Sequence, residues 1–459
     1  MVMDDTSGAA RPAISRGSSA LSVASISTGT VVTSVDNGAV MIALPAISTA
    51  FALPASNAVL LVTGFQLLLM MCVLPSASLG DRIGPRALYL GGLSLFCAAT
   101  TSYLFLGSFP AMVISRCLQA LGAAAMFGAS TALIRSIYSD AALGRGMALN
   151  TVMASVSATA APMAGSLIIA TFGWRWMFVA TVPFALVALA CGWRALPSSP
   201  ATSSRFDARG ALLCAATFGF IFAAFQDRLR EFGSMVPAIC ALAAIGSGVQ
   251  LVRSQIGQPR PILPVDLLAQ SHLRWSAVGA FCAYSGAMIL LISLPFRLEQ
   301  RFGSASATVG LLYGIWPAVM LLIAPLSGIL SDRMKPQRLC LAGMMIALGG
   351  ILAFIGLPPD PTETQFAWRI ALTAFGLGLF YSPSARFLIG SAPRARAAAA
   401  GGLLQTTRIS GQMTGSLLAA STLAQNHRFA VSAFALSASL FGVAALSTLR
   451  VQIVQRALR

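Results

Sequence analysis

The chain is built from long apolar runs separated by short turns that carry its charges, glycines and prolines. Fourteen runs are long or nearly long enough to cross a bilayer, which takes about 20 mainly apolar residues. They cover residues 22–44, 58–79, 87–107, 111–133, 147–170 and 176–193, then two shorter ones at 210–226 and 235–252. Six more follow at 275–296, 308–330, 339–357, 366–388, 397–420 and 429–449. Linkers rich in Pro, Ser and Arg, at 197–209 and 253–274, divide the runs into six, two and six. The pattern predicts an all-α integral membrane protein of fourteen transmembrane helices. Residues 1–20 form a polar tail, 21–200 a first six-helix bundle, 201–270 two inserted helices and 271–459 a second six-helix bundle with a short tail.

One turn occurs twice. Leu79-Gly80-Asp81-Arg82-Ile83-Gly84-Pro85-Arg86 follows the second run, and Leu330-Ser331-Asp332-Arg333-Met334-Lys335-Pro336 follows the tenth, 251 residues later. Each copy sits at the same point of its six-run half, as an internal repeat requires. Repeats of this kind are common in secondary transporters, which bind substrate near the bilayer midplane between the halves.

Composition agrees with the pattern. Apolar residues make up 57% of the 459 and charged residues 9%, against roughly 25% charged in soluble domains; mean hydropathy is +0.80. The net charge of +17 would point to nucleic acid if the basic residues clustered, but they stand singly in turns, so nucleic acid is not expected as a partner. With a cytoplasmic N-terminus, 21 of the 30 Lys and Arg fall on the inner side, seven outside, and Arg116 and Arg408 within runs. By the positive-inside rule both termini are then expected in the cytoplasm and the protein in the plasma (inner) membrane. The polar start, with Asp4, Asp5, Arg11 and Arg16, lacks the form of a cleaved signal and reads as a disordered cytoplasmic tail.

The chemistry available is narrow. The eight cysteines lie in apolar runs without close spacing and read as small buried hydrophobes. His272 and His427 sit in distant turns, so neither a metal site nor a nucleophile relay has parts to draw on; no cofactor and no enzymatic activity are expected. Ionisable side chains inside runs are costly and point to function. Apart from Arg369 and Arg386 near the ends of the twelfth run, they are Asp36 in the first, Arg116 in the fourth and Arg408 in the thirteenth. A carboxylate in a low-dielectric cavity holds its charge at a cost that proton uptake relieves, which makes Asp36 the candidate proton-coupling residue. The plainer alternative is a standing ion pair, with Arg116 as the available partner, and an Arg that leaves the Asp in another state would combine the two. Pro162 with Gly165 in the fifth run, and Gly411 with Gly415 in the thirteenth, form small-residue faces for close helix approach, with Pro162 allowing a kink.

These residues resemble the major facilitator superfamily, and within it the fourteen-helix drug:proton antiporter branch. Ala77-Ser78-Leu79-Gly80-Asp81-Arg82-Ile83-Gly84-Pro85-Arg86 is similar to the signature loop after helix two, with Ala77 in place of the usual leading Gly, and Gly328-Ile329-Leu330-Ser331-Asp332-Arg333 to its second-half echo. Arg116-Cys117-Leu118-Gln119-Ala120-Leu121-Gly122 resembles the helix-four motif whose Arg is implicated in proton transfer. Asp36 followed by Ala43-Leu44-Pro45, Trp174-Arg175-Trp176-Met177-Phe178 with Pro183, Asp207-Ala208-Arg209-Gly210, and Arg408 with Gly411 and Gly415 resemble marks of the branch. The helix-five motif departs from the usual Gly-Pro-x-x-Gly-Gly, reading Ala161-Pro162-Met163-Ala164-Gly165-Ser166, and no acid occurs in the tenth run. A dicationic substrate is therefore not expected.

The resemblance implies a proton-driven exporter of lipophilic small molecules that works by alternating access as a monomer in the bilayer. Asp36 and Arg116 would couple protons, and Asp81, Arg82, Gly84 and Arg86 with Asp332 and Arg333 would form a conformational latch. The cavity candidates are Phe65, Met153, Tyr284, Tyr313 and Arg408. The alternatives are a transporter of a specific anionic metabolite, favoured by Arg116 and Arg408, and a non-transporting membrane sensor or scaffold.

Overall fold

The computed structural model describes residues 16–138, 171–197, 207–225, 235–256, 265–303, 307–358, 360–391, 397–423 and 429–457, with isolated positions between 153 and 169. Among the described residues the regular structure is helical throughout. Among the described residues nine stretches are long and apolar enough to cross a membrane by length and composition: Ala20–Ala50, Ala55–Val73, Phe109–Ile134, Trp174–Ala195, Val236–Gln255, Ser271–Phe302, Thr308–Ser331, Pro336–Ile355 and Ser432–Val454. This is an all-α integral membrane fold.

In chain order the helices are α1 (Arg16–Ala50), the short α2 (Ala55–Ala58), α3 (Leu60–Ile83), α4 (Pro85–Ser102) and α5 (Phe109–Ile137). Next come α6 (Trp174–Val179), α7 (Val182–Ala195), α8 (Ala208–Ala224), α9 (Val236–Gln255) and α10 (Val265–Ala269). The rest are α11 (Ser271–Phe302), α12 (Ala307–Arg333), α13 (Pro336–Ile355), α14 (Glu363–Gly390), α15 (Ala397–Leu423) and α16 (Phe429–Ala457). The apolar runs expected at 87–107, 366–388 and 397–420 are helical as well, in α4, α14 and α15. Their lower apolarity has a visible source in α15, where Gln405, Thr406, Thr407, Arg408, Ser410, Gln412 and Thr414 interrupt the apolar residues. The run expected at 147–170, with Pro162, lies mostly outside the described residues. So do residues 1–15, while α1 begins at Arg16, within the stretch read as a tail. The run expected at 176–193 is two helices, with Ala180 and Thr181 between α6 and α7 and Pro183 in the first turn of α7, where a missing N–H costs nothing.

Close packing follows the glycines. A Cβ added to Gly92 of α4 would sit 2.7 Å from Gly122 O of α5, and one on Gly122 2.6 Å from Gly92 O. The same crossing recurs between α13 and α14, where a Cβ on Gly343 would sit 2.6 Å from Gly376 O. Gly343 stands 251 residues beyond Gly92, the spacing that separates Asp332 from Asp81. Backbones that approach this closely leave no room for a side chain, which is how small residues hold membrane helices together.

The largest buried apolar cluster joins Ala39–Ile47 of α1 and Ala58–Val62 of α2 and α3 to the second half of α11, the start of α12, and α13, α14 and α16. Tyr313 of α12 donates to Leu291 O at 3.2 Å and lies 3.7 Å from Met41 Sδ of α1. This cluster gathers mainly helix segments remote from the Asp81 and Asp332 turns, though Cys340 and Met344 lie in the first turns of α13. Toward those turns the packing separates into a cluster of α3, α4, α5 and α7 that reaches Ile409, Met413 and Leu417 of α15, and a smaller one of Leu267, Leu273, Ala277, Leu388, Ala400 and Leu403.

Helices α8 and α9 form a hairpin on the outside. The Asp207 carboxylate accepts from Gly210 N at 2.8 Å, capping α8, and from Gln255 Nε2 of α9 at 3.1 Å. Helix α8 packs on α3, with Cys214 beside Met70. Helix α9 packs on α8 and leaves Ile239, Leu242 and Ile245 exposed, as a lipid-facing helix does.

Candidate functional site

Four helices bring polar groups together in the first half of the chain. Asp36 of α1 and Arg116 of α5 form an ion pair through Oδ2 and Nη1, with both side chains buried. Arg116 Nη1 also donates to Gln119 Oε1 at 2.8 Å, and its Nε donates to Leu61 O of α3 at 3.3 Å. The guanidinium lies over the Phe65 ring, 4.3 Å from the centroid, a placement that stabilises a cation removed from water. Gln119 Nε2 donates to Thr100 Oγ1 at 2.7 Å and to Asp36 Oδ1 at 3.4 Å, and Tyr103 OH donates to Gln119 Oε1 at 3.4 Å. Gln119 therefore touches both members of the ion pair and hands the network on to α4. Arg116 Nη2 is buried without a hydrogen-bond partner.

A buried pair of this kind is not explained by stability. Removing two ions from water costs several kcal/mol each, and their attraction offsets that only with good geometry and further hydrogen bonds. The side chains supplied here meet most of that need, so the charges persist at depth. The carboxylate can change partners or take a proton, while the guanidinium keeps its charge.

Phe65, a cavity candidate from sequence, lies beneath Arg116 and is 2% exposed. Tyr313 belongs to the large apolar cluster. Tyr284 of α11 stacks on Tyr381 of α14, with centroids 4.5 Å apart and planes at 9°. Arg408 of α15 is half-buried, and its Nε has no hydrogen-bond partner. Gly411 and Gly415 of α15 face α11: a Cβ on Gly411 would sit 2.7 Å from Phe281 O, one on Gly415 would collide with Ser285 O, and Ser285 Oγ donates to Gly411 O at 2.9 Å. A Cβ on Gly165 would meet Met177 Sδ at 3.4 Å and Ala39 Cα of α1 at 3.9 Å. Pro162 lies outside the described residues.

The two turns differ in build. Gly84 joins α3 to α4 with φ +92°, a conformation that favours glycine, and Pro85 starts α4. Arg86 Nη2 donates to Trp193 O of α7 at 2.5 Å. In the second copy Lys335 takes the place of Gly84 with ordinary φ −61°, ahead of Pro336. Ser331 Oγ accepts from Arg386 Nη1 of α14 at 3.0 Å. Arg82 and Arg333 are exposed, and the side chains of Asp81 and Asp332 are outside the described residues.

Sequence reasoning missed Gln119, Thr100 and Tyr103 as partners of the ion pair, and Tyr381 as the partner of Tyr284. Arg369, one of the seven basic residues counted on the outer side and near the start of the 366–388 run, is buried in α14 and donates to Ala353 O at 2.8 Å and Gln365 O at 2.7 Å. The signal available for Gln119 was its position one helical turn after Arg116. Among the described residues no three His, Cys, Asp or Glu side chains come together as metal ligands.

A helical membrane fold that holds an ion pair at depth is the setting of a membrane transporter. The chain belongs to the Major Facilitator Superfamily, whose family model matches residues 26–416. It is 33% identical over 372 residues to the uncharacterized transporter YebQ of Escherichia coli (strain K12), covering 81% of each chain. It is 24% identical over 363 residues to the methylenomycin A resistance protein of Bacillus subtilis (strain 168), covering 78% of each. The crystal structure of a POT family transporter in complex with a thioalcohol-conjugated peptide shares the fold, with TM-score 0.69, 14% identity and coverage of 95% of this chain and 96% of that one. The protein is thus a secondary transporter of small molecules.

Proposed function

We propose that this transporter is a proton-coupled exporter of lipophilic small molecules of the fourteen-helix antiporter type, with two six-helix bundles and α8–α9 as the inserted pair. The observation that carries the reading is the buried Asp36–Arg116–Gln119 network. It offers one carboxylate, in contact with a permanent cation and a neutral relay, at the centre of the first bundle. In this scheme a proton on Asp36 releases Arg116 from the ion pair, and the halves rock. Export is supported by the likeness to a resistance protein of B. subtilis, and the arginines, with Lys335, favour cytoplasmic termini.

With that orientation the large apolar cluster lies toward the outer side. A latch formed by Asp81, Arg82, Gly84 and Arg86 with the Asp332–Arg333 copy would then lie at the cytoplasmic side, where Arg82 and Arg333 are exposed. The latch holds the outward-open state. Asp81→Asn is expected to slow transport several-fold while substrate affinity stays within about twofold; loss of binding would remove the latch role.

The function is tested by reconstituting purified protein into liposomes with an acidic lumen and offering cationic, neutral and anionic lipophilic compounds outside. Substrate is expected to accumulate inside as protons leave, and a protonophore should abolish the accumulation. Uptake that ignores the pH gradient for every compound carried would sink the proton-coupled reading.

A further inference from the structure

The charge inside the described spans is unevenly matched. Asp36 is taken by Arg116, and Arg369 is met by two backbone carbonyls. Arg408 has neither: its Nε is buried and unpartnered, and among the described residues no carboxylate pairs with it. Arg297 also has an unpartnered buried Nε, but it lies 13 residues beyond Tyr284 on α11, roughly 20 Å along a helix that rises 1.5 Å per residue. What distinguishes Arg408 is its neighbourhood. One helical turn on, Gly411 lies against α11, where an added Cβ would sit 2.7 Å from Phe281 O and 3.0 Å from Tyr284 Cβ, and Tyr284 stacks on Tyr381 of α14. Three helices therefore bring a guanidinium within one helical turn of the contact that leads to two stacked rings.

A guanidinium cannot shed its charge and presents its donors as a planar fork that fits a carboxylate. An unmet buried donor carries a desolvation cost that an incoming acceptor removes. Stacked phenol rings offer a π face to another ring. On the neighbouring α3–α15 contact, Gln66 is fully buried with both amide atoms unpartnered, and Thr406 Oγ1 is likewise unpartnered. Gln66 shares a helix face with Leu69 and Met70, and Thr406 one with Ile409 and Met413. All four apolar residues belong to one buried cluster, which brings neutral hydrogen-bonding groups toward the same region.

We propose that Arg408 and the Tyr284–Tyr381 pair form a binding site for a planar organic acid, a reading that rests on the small-molecule transporter assignment above. The carboxylate of the ligand pairs with Arg408 and its ring lies on the tyrosine wall.

The test is binding of radiolabelled 2-naphthoate to the full chain in nanodiscs, with empty nanodiscs subtracted. The competitors are methyl 2-naphthoate, which has the same ring without charge, and 2-naphthylmethylamine, which has the opposite charge. The acid is expected to bind at least tenfold more tightly than either competitor. Arg408→Gln should weaken it at least tenfold, Arg408→Lys less, and Tyr381→Leu several-fold. A competitor that displaces the label as well as the acid does, wild-type protein that fails to bind the acid, or Arg408→Gln that binds it unchanged would overturn the site. Should Arg408→Gln fail to fold, the wild-type ligand series decides alone. Proton-driven uptake of the amine without the acid would keep the exporter and remove the site; acid binding without proton-driven uptake would keep the site and remove the coupling.

Discussion

Asp36→Asn is expected to abolish proton-driven accumulation, lowering it by at least about tenfold, while substrate exchange without a gradient persists. The amide keeps the shape of the carboxylate and can still accept from Arg116, but it cannot carry a proton in and out. The variant also separates coupling from stability. Removing one partner of a buried ion pair costs about 3–5 kcal/mol because the other charge is stranded. Arg116 is the harder charge to strand, since a guanidinium stays charged whereas an unpaired carboxylate can protonate. Asp36→Asn should therefore melt at a lower temperature than wild type, and Arg116→Leu should be the milder of the two in an acidic buffer. Some of the loss in Asp36→Asn is cushioned, because Gln119 Oε1, Leu61 O and the Phe65 ring all remain on Arg116. Solute counterflow and pH-driven uptake measured on the same vesicles distinguish the two effects. Undiminished pH-driven uptake by Asp36→Asn would assign coupling elsewhere.

That Asp36 and Arg116 could be singled out from sequence, and Gln119 could not, has a physical cause. An ionisable side chain in a run of apolar residues is conspicuous because its burial is expensive. A glutamine or threonine in the same run is ordinary, and only the folded chain reveals that Gln119 and Thr100 share a hydrogen bond at 2.7 Å. Aromatic residues were illegible for the opposite reason. Membrane helices are apolar nearly all round, so periodicity does not say which face Phe65 or Tyr284 occupies. One proves to lie under Arg116 and the other against Tyr381. Helix positions were largely legible from the turn residues, as Gly84-Pro85 and Lys335-Pro336 mark the same helix start in each half. The break at Ala180 and Thr181 was marked only by Pro183, which has no N–H to donate to Val179 O and so ends the helix before it. Asp207 stood out in the sequence by resemblance alone. In the structure it caps α8 and holds α9, a local role that needs no likeness to explain it.

Gly415→Val should disable the protein more completely than any substitution at the ion pair. Helices α11 and α15 meet along Gly411 and Gly415, where an added side chain would strike the backbone carbonyls of Phe281 and Ser285 and, at Gly415, approach Met288 Cβ to 2.8 Å. Flexible side chains can move aside, but helical carbonyls cannot without shifting the helix that carries them. Overpacking in a tight interior costs about 1–3 kcal/mol and more where backbone is involved. Separating the helices would also break the bond from Ser285 Oγ to Gly411 O and shift the helix that bears Arg408 against the one that bears Tyr284. The expected result is a protein with a markedly lower unfolding temperature, a reduced monodisperse fraction after solubilisation, and no measurable transport. Gly442→Ala serves as the comparison, because a Cβ there meets nothing within 4 Å. With only helix propensity in play, it should be neutral or more stable by up to about 1 kcal/mol. If Gly415→Val melted with the wild type, the close approach of α11 and α15 would not be what holds the second half together.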